Sequence, residues 1–330
     1  MVNNVLSLFD GISCGQIALN RAGIKYDKYF ASEIDKNSIL VTQDNFPDTI
    51  QIGDVTKIDS GLLPKIDLLM GGSPCQGFSF AGKQLNFEDP RSKLFFEYVR
   101  LKNELSPEYF LLENVRMKKS SQDIISKYMG CEPVEINSNL VSAQNRRRLY
   151  WTNIPFDIPD DRNVKLKDVL EDNNTSIFTY SEKGHRLTGT EPTSNKVVLE
   201  AKNKKKVHID LDMQAPFSFY ETRTEEGKEA RRKIRKETGR DSTPRSKEYK
   251  MYLPLTDNKA NCLVTVRSPL DYIVDTNWNY RILSRLEMER LQTVPDNYTK
   301  VVSDAKAGHM LGNGWTVDII ANFLKNIKGE

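Results

Sequence analysis

The chain opens on short apolar runs separated by polar turns that carry glycine. Val5-Leu6-Ser7-Leu8-Phe9 has the length of a strand and stops at a turn running from Asp10 to Gly15. A helical stretch follows to Ala22, and Gly23 stands where a helix stop belongs. Tyr29-Phe30-Ala31, Ile50-Gln51-Ile52, Ile66-Asp67-Leu68-Leu69-Met70, Tyr109-Phe110-Leu111-Leu112 and Leu149-Tyr150-Trp151 predict further strands. Ser92 predicts the cap of a helix with apolar positions Leu94, Phe95, Tyr98 and Leu101, ending before Pro107. Strands alternating with helices predict an α/β fold, a mostly parallel sheet with helices on both faces. Sites in such sheets lie at the carboxyl ends of the strands.

From about residue 173 the rhythm fades into polar, Lys-rich and Glu-rich stretches that run to about residue 277. It returns where Ser284 predicts the cap of a helix through Leu291, and Thr316 the cap of a last helix from Val317 to Ile327. The pattern therefore predicts a larger domain made of 1–172 and 278–330, split by an insertion at 173–277. A length of 330 residues suits one large domain plus a smaller one.

Composition narrows the classes. Hydrophobic residues make up 38% of the chain, enough for a core. No apolar run reaches the ~18 residues that a membrane span needs, and Met1-Val2-Asn3-Asn4 lacks the basic start of a secretion signal. Cys14, Cys75, Cys131 and Cys262 are widely spaced with no C-x-x-C, against a disulfide framework or a zinc site. The expectation is a reduced, cytoplasmic protein with no metal. The net charge of +3 hides an uneven distribution: residues 201–250 carry 15 Lys+Arg against 9 Asp+Glu. Such an island faces phosphates or is simply a solvated loop, and charge alone leaves both open.

Turns at predicted strand ends carry the chemistry. Phe9-Asp10-Gly11-Ile12-Ser13-Cys14-Gly15 is a glycine turn without the G-x-G-x-x-G that cradles a pyrophosphate, so a nucleoside without phosphates suits it better. Glu33 follows Gly11 by 22 residues, the usual place for an acid on ribose hydroxyls, and Asp54 is placed to accept from an adenine amine. Each alone is also an ordinary turn residue. Cys75 lies in the Gly- and Pro-containing loop Gly71-Gly72-Ser73-Pro74-Cys75-Gln76-Gly77-Phe78-Ser79, an odd place for a core cysteine. Cys14 shares the first turn and could equally just pack, while Cys131 and Cys262 read as structural. Glu113-Asn114-Val115 follows another strand and would share the cleft with Cys75. A Cys nucleophile with a Glu acid suits addition to an electron-poor ring, whereas amide hydrolysis would want a His base.

These motifs resemble the DNA (cytosine-5) methyltransferases: Ser73-Pro74-Cys75-Gln76-Gly77-Phe78-Ser79, Glu113-Asn114-Val115, Gln144-Asn145-Arg146-Arg147-Arg148, Arg290-Leu291-Gln292 with Pro295, and Gly312-Asn313-Gly314-Trp315, in the family's order. The likeness spans about 1–155 and 280–328. Ser7-Leu8-Phe9-Asp10-Gly11 and Lys93-Leu94-Phe95-Phe96-Glu97 look closest to the animal de novo enzymes, while the length is similar to bacterial or phage ones. Ser7 stands where an acid is commoner, and Gly314 where Ser is usual.

The resemblance implies a Rossmann-like S-adenosylmethionine-dependent methyltransferase fold, with 173–277 as an inserted target-recognition domain. It implies methylation of cytosine carbon 5 in double-stranded DNA and S-adenosylhomocysteine as product. Cys75 would add to carbon 6 while Glu113 hydrogen-bonds nitrogen 3, and Arg146 and Arg148 would bind the cytosine oxygen and hold Glu113. Phe9, Gly11, Ile12, Glu33, Asp54, Val55, Pro74, Leu94, Asn313 and Trp315 would contact the cofactor. The base would be flipped out of the duplex, and the loop Gln76 to Arg91, with Gly77 and Gly82 as hinges, would close over it. A monomer in a bacterial cell or phage-infected host is implied, with a cognate restriction endonuclease as an open partner. An RNA cytosine methyltransferase or a non-enzymatic accessory protein are the rival readings. Absence of the Cys-Phe-Thr typical of tRNA-methylating relatives favours DNA.

Overall fold

The strands alternate their side chains between two cores, and this fixes the architecture. In the computed structural model of the chain, residues 2–73, 93–171, 196–200, 206–210, 216–223, 225–238, 250–255, 257–265, 272–274 and 280–327 are described. The first half contains β1 (Asn4–Leu8), α1 (Cys14–Ala22), β2 (Lys28–Ser32), α2 (Lys36–Asn45), β3 (Ile50–Gln51), β4 (Leu68–Gly71), α3 (Lys93–Leu105), β5 (Tyr109–Val115), α4 (Lys119–Met129), β6 (Val134–Asn137), β7 (Gln144–Asn145) and β8 (Arg147–Thr152). Seven of these strands form one sheet in the order β3-β2-β1-β4-β5-β8-β6. The five strands β3 to β5 pair in parallel, and β8 runs antiparallel to β5 and β6.

Successive strand residues point to opposite faces. Val5, Leu68, Met70, Leu111 and Tyr150 join one core, shared with Ile17, Ala18 and Leu19 of α1. Leu6, Leu8, Leu69, Leu112, Leu149 and Trp151 join the other, with Phe95, Tyr98 and Leu101 of α3 and Ile125 and Met129 of α4. The expected layers, helices on both faces of a mostly parallel sheet, are present. The late helices α6 (Arg285–Leu291), α7 (Asp304–Asn313) and α8 (Val317–Leu324) belong to the α1 side through Leu291, Leu311, Ile320 and Phe323.

Several local expectations meet their physics. Gly23 ends α1 with φ of 70°, and its N–H donates to the Leu19 and Asn20 carbonyls. Ser284 caps α6 through a reciprocal pair: its Oγ accepts from Glu287 N, and Glu287 Oε2 accepts from Ser284 N. Thr316 corrects another. It precedes α8, but its hydroxyl donates to Gln292 Oε1 and accepts from Ser138 Oγ, capping nothing, and the helix stops at Leu324. Ser92 lies outside the described residues.

Within 173–277 the described strands form antiparallel units: β9 (Lys196–Glu200) with β10 (Lys206–Asp210), and β11 (Phe217–Arg223) with β12 (Lys250–Pro254) and β14 (Tyr272–Val274). The exposed side of α5 (Glu225–Thr238) carries Arg232, Lys233, Arg235 and Lys236. β14 also pairs with β15 (Tyr280–Ile282), so one hairpin straddles residue 277. β13 (Ala260–Asn261) leaves this region altogether and pairs in parallel with β7. Among the described residues no helix is long and apolar enough to cross a membrane.

Candidate functional site

The carboxyl ends of β1, β2, β4 and β5 open onto a cavity of about 800 Å³. The glycine turn after β1 forms one side. Phe9, Gly11 and Ser13 have φ of 57°, 59° and 60°, the left-handed region that glycine adopts freely and other residues rarely. Beneath the turn Asp10 is buried and accepts from Ser13 Oγ at 2.6 Å and Tyr29 OH at 2.7 Å. Burial raises its pKa to about 6, against the lowering effect of those hydroxyls.

Glu33 is locked to this turn. Its Oε2 accepts from Gly11 N at 2.8 Å, and its Oε1 from Ile34 N and Asp35 N at 2.7 and 2.8 Å. One carboxylate thus ties the ends of β1 and β2 together. Asp35 caps α2 by accepting from Asn37 N and Ser38 N, bonds that hold its carboxyl below the usual range despite partial desolvation. Asp54 accepts from Thr56 N and Oγ1, which lowers its pKa. Ile34, 73% exposed, lines the same cavity and presents bare apolar surface there.

The other side is chemical. Glu113, 8% exposed at the end of β5, accepts from Arg148 Nε at 2.9 Å. Gly72 is the reason this corner closes. A Cβ on it would lie 3.0 Å from Trp315 Nε1 and 3.1 Å from Glu113 Oε2, so a side chain would wedge them apart. Asn114 donates to Ser73 O and Oγ, both at 3.2 Å, and pins the chain two residues before Cys75. Cys75 and Pro74 themselves, with the loop 76–91, lie outside the described residues.

Arg146 sits nearby with a different set of partners. Its guanidinium donates to the carbonyls of Leu263, Gly312 and Gly314 and to Cys262 Sγ. Burial, then the neighbouring Arg148, lowers its pKa. Only Arg148 of the two has an ion pair with Glu113.

Of the expected cofactor contacts, Phe9, Gly11, Glu33, Asp54, Val55, Leu94, Asn313 and Trp315 line the cavity, as do Glu113, Arg146 and Arg148. Ile12 does not line it. It is 1% exposed, and its carbonyl accepts from Tyr298 OH at 2.7 Å. Cys14 is core, its thiol pushed up to about 12 by burial. Cys131 is half-buried. Cys262, read from sequence as structural, instead lines the cavity with Leu263 and Val264. No sequence signal marks it, because residues 257–265 come into the site from a stretch without pattern. Sequence reasoning misses Ile34 too, although its place directly after Glu33 is a usable clue.

Among the described residues no group of three His, Cys, Asp or Glu is placed to hold a metal. The arrangement can bind a nucleoside against Glu33, Asp54 and Ile34, and can present a carboxyl, oriented by a guanidinium, to a second ligand.

The profile of the C-5 cytosine-specific DNA methylase family matches residues 3–329. The chain is 36% identical over 184 residues to the orphan methyltransferase M.SPRI of Bacillus phage SPR, a stretch covering 51% of this chain and 42% of that protein. It is 33% identical over 216 residues to the type II methyltransferase M1.ScrFI of Lactococcus lactis subsp. cremoris, covering 58% and 55%. The matched stretches thus span about half of these relatives' length. In structure the chain is similar to S. pombe Dnmt2 methyltransferase (TM-score 0.60, 16% identity, 98% of this chain and 97% of that one). It is similar as well to the Entamoeba histolytica methyltransferase EhMeth (TM-score 0.61, 15% identity, 98% of both). At such identity the likeness is one of fold.

Proposed function

The chain belongs to the C-5 cytosine-specific DNA methylase family, and on that premise we propose that it transfers a methyl group from S-adenosylmethionine to carbon 5 of cytosine in double-stranded DNA. The observation that carries the reading is the Glu113–Arg148 pair, 2.9 Å apart, in the same cavity as the Gly11 turn, Glu33 and Asp54.

The cavity fits the cofactor. Its ~800 Å³ lies within the range of small-molecule sites. Each Glu33 oxygen already accepts from backbone, and Oε2, with one such bond, has a lone pair for a ribose hydroxyl. Ile34 offers the apolar surface an adenine ring would cover. Gly11 adopts a backbone conformation that few side chains allow. When bound, S-adenosylmethionine supplies an electrophilic methyl group on a sulfonium.

The chain's own residues make the cytosine reactive enough to take it. Carbon 5 is a poor nucleophile until something adds at carbon 6. Cys75 is the assigned nucleophile, and connectivity supports it: two residues reach no more than ~7 Å from Ser73, which Asn114 holds beside Glu113. The Cys75 thiolate bonds to carbon 6 while Glu113 gives a hydrogen bond to nitrogen 3, so that electron density moves to carbon 5. After methyl transfer, loss of the carbon 5 proton re-forms the double bond and expels the thiolate. Arg148 fixes the carboxyl's orientation, and near-complete burial keeps water from competing. Arg146 anchors the loop that carries Gly312 and Gly314 rather than the carboxyl.

We assign residues 173–277, in the main, to DNA recognition, with the exposed basic residues of α5 on phosphates. Bisulfite sequencing of DNA from cells expressing the protein tests the reading, with tRNA from the same cells as the alternative substrate. Protected cytosines at one short DNA sequence are expected. Protection confined to tRNA would overturn the DNA assignment.

A further inference from the structure

Residues 257–265 run through the site as a strap, tied down along their whole length. Asp257 Oδ2 accepts from Asn145 Nδ2 at 2.6 Å. The Lys259 ammonium is buried and donates to the carbonyls of Asn139, Ser142 and Val164. Ala260 and Asn261 pair with Gln144 and Asn145, and Leu263 N donates to Gln144 Oε1 at 3.1 Å. Beyond them the backbone of Val264 lies so near Gly312 that a Cβ there would sit 2.5 Å from its carbonyl carbon and oxygen. The strap's path is therefore fixed on both sides of Cys262.

At that point its sulfur meets both arginines. Arg146 Nη1 donates to Cys262 Sγ at 3.2 Å and Arg148 Nη2 at 3.6 Å, while the thiol donates to Leu263 O at 3.4 Å. The two guanidinium groups are unequal. Arg146 is held by three carbonyls besides the sulfur. Arg148 has one partner for each nitrogen: Nε on Glu113, Nη1 on the Arg147 carbonyl, and Nη2 on Cys262. Without the last, the Arg148 fork keeps two contacts, on Glu113 and on the Arg147 carbonyl, which fix only an axis through them; the third point, Nη2 on Cys262, is what sets the plane.

We infer that Cys262 is a positioning residue, whose sulfur accepts from both guanidinium groups and so fixes the plane of Arg148 against Glu113. The inference rests on the roles proposed above for Glu113 and Arg148. It also makes the strap, which enters from the recognition region, part of the catalytic corner.

Serine and valine separate acceptance from packing. Cys262→Ser keeps a hydrogen-bond acceptor, and Cys262→Val keeps the apolar bulk without one. Cys262→Val is expected to lower kcat for methylation of duplex DNA about tenfold, in keeping with removal of one hydrogen bond to a charged group. KM for the cofactor should not move, and Cys262→Ser should recover kcat to within about threefold. The NMR resonance of the Arg148 Nε–H, assigned with Arg148→Lys, should shift in the Val variant and stay in place in the Ser variant. The reverse ranking in kcat, or a resonance unmoved in both variants, would overturn the inference by reducing Cys262 to packing. A wild-type protein inert toward cytosine fails differently. It removes the functional reading, while the resonance still tells whether the sulfur holds Arg148.

Discussion

The two walls of the cavity are made in opposite ways. The wall assigned to the cofactor consists of strand-end turns held within themselves by local bonds, Asp10 to Ser13, Glu33 to Ile34 and Asp35, Asp54 to Thr56, and tied to one another over about twenty residues by Glu33 on Gly11 and Tyr29 on Asp10. The opposite wall is assembled across the chain, with Arg146 reaching Leu263, Gly312 and Gly314, and Arg148 reaching Glu113 and Cys262. Ligand-binding turns can be set by short sequence alone. The corner around Glu113 cannot, because its partners come from separate parts of the chain.

The largest expected effect lies on the assembled wall. Glu113→Gln should lower kcat by ~10²-fold or more, the usual loss of a general acid, since an amide has no proton to deliver to nitrogen 3. Cofactor affinity, set by the other wall, should change little. A variant with wild-type turnover would make Glu113 structural.

The cofactor wall carries the stronger pH signature. Asp10 has a folded-state pKa of about 6 against an ordinary 3.8, raised by burial. A raised carboxyl pKa means that the folded state binds the proton more tightly. This stabilisation is complete below pH 3.8 and is lost as pH rises through about 6. Urea unfolding across that window should show the wild type losing on the order of 3 kcal/mol relative to Asp10→Asn. Parallel pH curves would place the titration elsewhere.

Glycines sharpen the contrast. Gly312→Ala forces a Cβ to 2.5 Å from the Val264 backbone, so it should cost about 1–3 kcal/mol and displace the strap. Gly11→Ala meets nothing within 4 Å and is penalised only by its φ of 59°, about 1–2 kcal/mol. Equal urea midpoints for wild type and Gly312→Ala would show that the strap yields easily.

Legibility in the sequence follows the same division. β1 to β5, β8, α1, α3 and α6 can be read because their apolar spacing and caps are local, whereas β6 and the strands between 196 and 282 cannot. α2 cannot, since its apolar residues Ile39, Leu40 and Val41 are consecutive rather than stepped, and its buried face is completed by Ser38 and Thr42. α4 buries Ser121 and Ser126, the latter accepting from Trp151 Nε1, so polar letters occupy a core face. Glu33 and Asp54 are legible because they follow strands within recognisable turns, Glu113 because it lies near the end of β5, and Arg148 only through the Gln144-Asn145-Arg146-Arg147-Arg148 resemblance. Cys262 is not, because its function is created by Arg146 and Arg148, 116 and 114 residues away.

The smallest expected effect concerns the region proposed above to recognise DNA. Neutralising Arg231, Arg232 and Lys233 of α5 should flatten the salt dependence of DNA binding by a slope of ~0.9 for each phosphate left without its cation, with base preference intact. Lys204 and Lys205 lie outside the described residues, and with Lys206 they form a second triple substitution of the same design. An unchanged slope in both would place the DNA on another face.

The central claim, covalent addition of Cys75 to carbon 6, is tested most directly on DNA carrying 5-fluorocytosine at the target. Release of the enzyme requires loss of the substituent on carbon 5 as a cation, which a proton can do and fluorine cannot. With S-adenosylmethionine present, the reaction should stop with protein bonded to DNA. A heat-stable adduct should appear on a denaturing gel, map to the peptide containing Pro74-Cys75-Gln76, and be absent in Cys75→Ala. Robust methylation of ordinary DNA without any adduct on the fluorinated target would contradict attack through carbon 5 and favour methylation of the exocyclic amine.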